Sequence, residues 1–291
     1  MQYCSRKHLY ADRPNHRSAC AKIKKAAASL DHYLSNPERN ALWINAHPDS
    51  VALRQILVEN LLKMNTAQAV TMALRHLWLM LRDLPGDRIG VRDVVPVLSI
   101  RLGHDPEAYK YCSWWADTDT DTKEINAMDI NVDVSEGVEA FTGAQFHLSH
   151  AVAVTLIKLR LLIDLQSLQR ARTIAGPYVP RELLDVIQKH STLSTITHED
   201  KFNDCEDYAP VIEKLRGQIT TMFEAVHKGN RHFWPALVEP GDNLQARPIA
   251  WKQGDEKQMQ VALQHNYNAW SETPGAIDAI AGLLEGVEMV S

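Results

Sequence analysis

Residues 148–171, "LSHAVAVTLIKLRLLIDLQSLQRA", place apolar side chains on nearly every face of a helix. A helix that is apolar all round belongs at the centre of a bundle, because any face left to water would expose it. Its most apolar part, 151–157, is stopped by Lys158, and crossing a membrane takes about 20 mostly apolar residues. The chain therefore needs other helices to bury this one, and the sequence offers them. Apolar residues recur at three- and four-residue intervals through Val51, Leu53, Ile56, Leu57, Leu61 and Leu62, then through Val70, Leu74, Leu77, Trp78 and Leu81. The link "KMNT" between these runs is short enough to make them antiparallel neighbours. A second pair follows, "IGVRDVVPVLSIRL" and "PEAYKYCSWW", separated by "GHD", with Asp105 suited to the N-cap and Pro106 to the first turn. Further helices fit 181–189, 210–228, 256–270 and 274–288. No stretch alternates with period two for long enough to argue a sheet. The fold class read from the sequence is all-α, built of helical hairpins.

Shifting the first hairpin onto the second by 39 residues places Gln68 on Glu107 and Ala69 on Ala108, each just after a tight turn. The segment "RLGHDPEAY" resembles the inter-helix turn of tetratricopeptide-type repeats, where Gly permits the turn and a small Ala lets two helices approach closely. This resemblance covers about residues 51–116; the full repeat signature is missing, and plain helix-hairpin packing is the competing reading.

Residues 117–144 break the helical pattern with eight acids against one Lys and read as an acidic loop or linker. Asp117, Asp119 and Asp121 imitate the first positions of a calcium loop. The imitation fails at Thr122, where the loop needs Gly, and at Met128, where it needs a bidentate Glu. The organisation expected is an N-terminal segment over 1–25, a hairpin region over 26–116, the acidic loop over 117–144 and a helical bundle over 145–291.

Charge and cysteine usage narrow the setting. Net charge is −5, yet residues 1–30 hold seven Lys/Arg against Asp12 alone, so the remainder is markedly acidic and an unlikely nucleic-acid partner. The four cysteines, Cys4, Cys20, Cys112 and Cys205, do not form the dense pattern of a secreted disulfide scaffold. The basic N-terminus lacks the apolar core of a signal peptide. A soluble intracellular protein, cytoplasmic or nuclear, is expected.

The opening stretch "YCSRKHLYADRPNHRSAC" spaces four zinc-ligand types as Cys4-x3-His8-x7-His16-x3-Cys20. Thiolates and imidazoles in pairs are the natural cage of a tetrahedral zinc, and an i, i+4 spacing puts each pair on one helix face. The text resembles the second half of the MYND zinc finger, with Cys4, Ser5, Asp12, His16 and Cys20 in register. His8 stands where that family has cysteine and Arg13 where it has Trp. By the resemblance, Cys4 and His8 would serve one zinc while His16 and Cys20 serve another. The two further Cys-x-x-Cys pairs of a cross-braced finger would then lie upstream of Met1. Two alternatives stay open: all four side chains on one zinc, with "LYADRPN" as the connecting loop, or no metal.

The MYND-like tail joined to a helical remainder, with "GVRDVVPVLSIRLG", "HFWPALVEPGD" and "ALQHNYNAWSETPGA", resembles MYND-finger proteins of filamentous fungi. That likeness implies recognition of partner proteins, in particular of short proline-containing peptides. A protein-interaction adaptor or regulatory partner is therefore expected, with binding placed in the basic tail and the helices of 51–115. The alternative is a helical enzyme of unrecognised type. A SET-type methyltransferase is disfavoured because no strand-rich cofactor-binding segment occurs, and no dinucleotide, P-loop, HExxH or GxSxG motif is present either. "FHLSH" offers His147 and His150 as the nearest thing to a second metal or acid–base site. Trp114, Trp115, Trp234, Trp251 and Trp270 are read as packing between helices rather than as a ligand stack.

Overall fold

In the computed structural model, which describes residues 6–35, 48–83, 90–116, 133–143, 146–175 and 207–288, every extended element is a helix. In chain order these are α1 (Arg6–Leu34), α2 (Pro48–Leu62), α3 (Ala67–Asp83), α4 (Val95–Arg101), α5 (Asp105–Ala116), α6 (Leu148–Ala175), α7 (Ala209–Gly229), α8 (Phe233–Val238), α9 (Glu256–Ser271) and α10 (Ala276–Glu288). No described helix is long and apolar enough to cross a membrane. The expected helix over 181–189 lies outside the described residues. By its contacts the chain divides into two units, Met1–Leu98 and Ser99–Ser291.

In the first unit α2 packs against both α1 and α3. The hairpin forms because Met64 N–H and Asn65 N–H close the end of α2 on Leu61 and Leu62 carbonyls, with Asn65 at φ 48°. Thr66 then accepts from Ala69 N–H and starts α3. Leu57, Val58 and Leu61 of α2 and Val70, Ala73, Leu77 and Met80 of α3 are buried. The periodicity errs at Ile56, which is about half exposed, while Arg54 is buried with Nη1 3.3 Å from His76 Nδ1. A buried Arg beside His disfavours the imidazolium; burial first and the Arg54 charge second hold the His76 pKa below its ordinary value.

In the second unit α6 is the axis. Ala151 to Leu161 is buried throughout, as the all-round apolar run requires, and α5, α7, α9 and α10 all pack on it. The turn before α5 also closes on bonds three residues back: Gly103 N–H bonds the Ile100 carbonyl, with Gly103 at φ 77°, one position before the residue that the 39-residue shift pairs with Asn65. Ala69 and Ala108 are both buried, in keeping with close helix approach after each turn. Sequence spacing grouped α5 with the hairpin region, but its contacts lie with α6. Asp105, suited on the sequence to a cap, instead receives a buried guanidinium: Arg160 Nε donates to Oδ1 at 2.7 Å and Nη2 to Oδ2 at 3.2 Å, while Nη1 reaches Thr273 Oγ1. Burial pushes the Asp105 carboxyl upward, and Arg160 opposes it. One residue earlier in the same α9–α10 turn, Glu272 takes both guanidinium donors of Arg101 at 2.8 and 2.7 Å.

The described part of the acidic segment, 133–143, is a packed turn region. Val134, Val138 and Phe141 are buried. Lys158, fully buried on α6, donates from Nζ to the Val134 and Glu136 carbonyls at 2.6 Å each and sits 5.0 Å from the Tyr109 ring centre. Gln218 of α7 donates to the Ser135 and Glu136 carbonyls, and Tyr109 to that of Gly137. Burial lowers the Lys158 pKa to about 7, with Lys214 adding to the effect and Asp133, Glu136 and Glu139 opposing it.

Candidate functional site

Among the residues singled out on the sequence, Cys4 lies outside the described residues, as do Asp117, Asp119 and Asp121. Positions 8, 16 and 20 all fall in α1, one continuous helix from Arg6. Positions 16 and 20 are one turn apart, but 8 and 20 are separated by about 18 Å along the axis at 1.5 Å per residue. Tetrahedral zinc holds its ligands at about 2 Å, so this helix cannot bring all four side chains to one ion, and "LYADRPN" is no connecting loop. Among the described residues, positions 16 and 20 stand one helical turn apart and are the pair that α1 places at one level. Cys20 is a half-buried free thiol.

His147 and His150 meet at the start of α6 with ring centres 4.6 Å apart, and buried His150 stands edge-on to Tyr111. Of the tryptophans, Trp234 and Trp270 are core: they are fully buried and perpendicular at 5.6 Å. Trp114 and Trp115 pack edge to face at 4.9 Å. Trp251 departs from the expectation, being 47% exposed, and Ile249 beside it is fully exposed.

These two side chains crown the loop between α8 and α9, "ARPIAWKQG". Both ends of that loop are fixed. At the entry Gln264 Nε2 donates to the Asn243 and Ala246 carbonyls at 2.8 and 3.0 Å, and Gln260 Nε2 to Asn243 Oδ1. At the exit Asp255 caps α9, accepting from Gln258 N–H at 2.7 Å and from Lys252 N–H at 2.8 Å. Those two bonds hold the Asp255 carboxyl below its ordinary pKa. Asn230 anchors the same corner by donating to the Asp255 carbonyl. Between the fixed ends Ile249, Ala250 and Trp251 are presented to solvent, with Pro248 half-buried.

Next to the loop runs an open groove of about 510 Å³ between the end of α7, α8 and the start of α9. Pro235, Ala236 and Met259 form its apolar lining; His227, Arg231, His232, Glu239, Asn243 and Glu256 its polar one. Asn243 and Glu256 are also where the loop leaves and rejoins the helices. An aromatic ladder backs the wall: His227 is parallel to Phe223, and Phe223 is stacked on Trp234 at 5.5 Å, whose Nε1 donates to the Phe223 carbonyl. The wall is thereby rigid, while the groove itself is wide and unenclosed. Such a surface can hold an extended or protruding segment; it does not sequester a small substrate from water. Sequence reading missed it because it counted Trp251 with the packing tryptophans. The signal available was its neighbourhood, an apolar tetrapeptide between Arg247 and Lys252 with no helical period.

Comparison with protein-family models, curated proteins and solved structures finds no match to this chain.

Proposed function

We propose that this chain is a helical protein-interaction module, an adaptor or regulatory partner, and that it engages partners through the loop 247–252 and the adjoining groove. The observation that carries the reading is the exposure of Ile249 and Trp251 on a loop hydrogen-bonded at both ends. Exposed apolar side chains held in a fixed geometry contribute to binding without the entropy lost in ordering a mobile loop, and Trp is enriched at energetic centres of interfaces. The hairpins of α2–α3 and α4–α5, with turns that each close on bonds three residues back and with buried alanines, support a repeat-like relationship between them. The zinc-finger likeness of residues 1–20 supports a partner-binding role, and proline-containing peptides are the partner class that the likeness implies. Affinity capture with the full chain tests the reading. Protein partners retained by the chain should be released from the Ile249→Asp variant, and equal retention by both would contradict the assignment to this loop.

A further inference from the structure

The groove and the loop are complementary to each other. The loop orders its side chains as cation, apolar tetrapeptide, cation: Arg247, then Pro248 to Trp251, then Lys252. The groove has an apolar lining, and the exposed carboxylates of Glu239, at the end of α8, and Glu256, at the start of α9, border it. Arg231 belongs to the α7–α8 turn, at the opposite end of α8 from Glu239. Neither acid forms an ion pair among the described residues. Full exposure of Ile249 means that the loop does not fill its own groove.

We infer that the occupant of the groove is the 247–252 loop of a second copy of this chain, each copy seating its tip in the other. The inference rests on the reading of this surface as a binding site and names what binds. Two mutually complementary patches that lie side by side on one molecule are what a two-fold axis needs to form a closed, self-complementary interface. They lie side by side here because the loop leaves the groove wall at Asn243 and returns to it at Glu256. Seating Ile249 and Trp251 removes the largest exposed apolar side chains of this region from water, while Arg247 and Lys252 approach carboxylates that have no ion-pair partner among the described residues.

Sedimentation equilibrium of the purified full chain tests this. The expected mass is twice that of the chain. Ile249→Asp should weaken self-association by at least about tenfold, as loss of a central apolar anchor does. An Arg247→Glu/Lys252→Glu chain and a Glu239→Lys/Glu256→Lys chain should each associate weakly alone. Mixed in equal amounts they should regain wild-type association, because every tip then meets a groove of opposite sign in both seats. All positions changed are exposed or half-exposed, so unchanged far-UV circular dichroism is expected and separates lost association from lost folding. A wild-type chain that stays monomeric, a dimer indifferent to Ile249→Asp, or a mixture that fails to regain association would overturn the proposal. If the monomeric chain still loses another bound protein on Ile249→Asp, the second copy is excluded as occupant and the binding-surface reading stands; if it does not, both fall.

Discussion

At the scale of single residues, two buried bases define how the second unit responds to pH and to substitution. His265 on α9 has its Nδ1 buried without a hydrogen-bond partner among the described residues, and burial lowers its pKa to about 4. An unfolded imidazole takes its proton near pH 6.5, so the folded state resists a proton that the unfolded state accepts. Stability present above pH 6.5 is therefore lost as the pH falls toward 4, by as much as about 3 kcal/mol. Urea unfolding midpoints measured at pH 7 and pH 4.5 should differ less for His265→Phe than for wild type; an equal difference would remove His265 as the cause. Lys158 stopped the apolar run on the sequence, and its amine is buried and tied to two carbonyls. Lys158→Met keeps most of the stem but orphans the Val134 carbonyl and leaves that of Glu136 to Gln218 alone, and should destabilise by about 1–3 kcal/mol in urea titrations. A neutral or stabilising effect would mean that the buried charge outweighs its bonds.

The elements were legible where one face or all faces of a helix declare themselves. The axis helix α6 was readable because 151–157 leaves no polar face, and the α2–α3 turn because "KMNT" interrupts two clear apolar runs. Pairings between elements were not legible, since the partners lie far apart in the chain: Arg101 and Glu272 are 171 residues apart, Arg160 and Thr273 113. "SETPG" reads as a helix boundary, and nothing local marks its Glu and Thr as acceptors for two arginines. Helix α8 was hidden inside a segment read as a break, because six residues are too few to establish a period. These arginine pairs fasten the start of α5 and the end of α4 to the α9–α10 turn, and the buried one carries the greater consequence. Asp105→Ala leaves the Arg160 charge buried without its carboxylate and should cost about 3–5 kcal/mol. The double change Asp105→Leu with Arg160→Met removes both charges and should recover most of that loss, as measured by thermal unfolding. If the double variant is no better than the single, the ion pair is not what Asp105 contributes.

For the molecule as a whole, an all-helical scaffold presents a rigid loop and an open groove from its second unit, and the account holds that this surface is where the protein meets other chains. The groove's position was only partly legible: "HFWPALVEPGD" was singled out on the sequence, but its helix, its turn and the first residues of α9 become one wall only when α8 packs on α9. The N-terminal pairs were fully visible as a spacing, whereas their reach was not, since spacing alone does not say whether 6–34 is one helix. Site-specific photo-crosslinking in cells expressing the full chain distinguishes the loop-and-groove surface from the rest, with the photoreactive side chain at position 251 or, as an exposed control on α7, at Thr220. The account predicts discrete protein adducts from position 251, whether to a second copy or to another protein, and none of comparable yield from position 220. Equal adducts from both positions, or none from position 251, would contradict it.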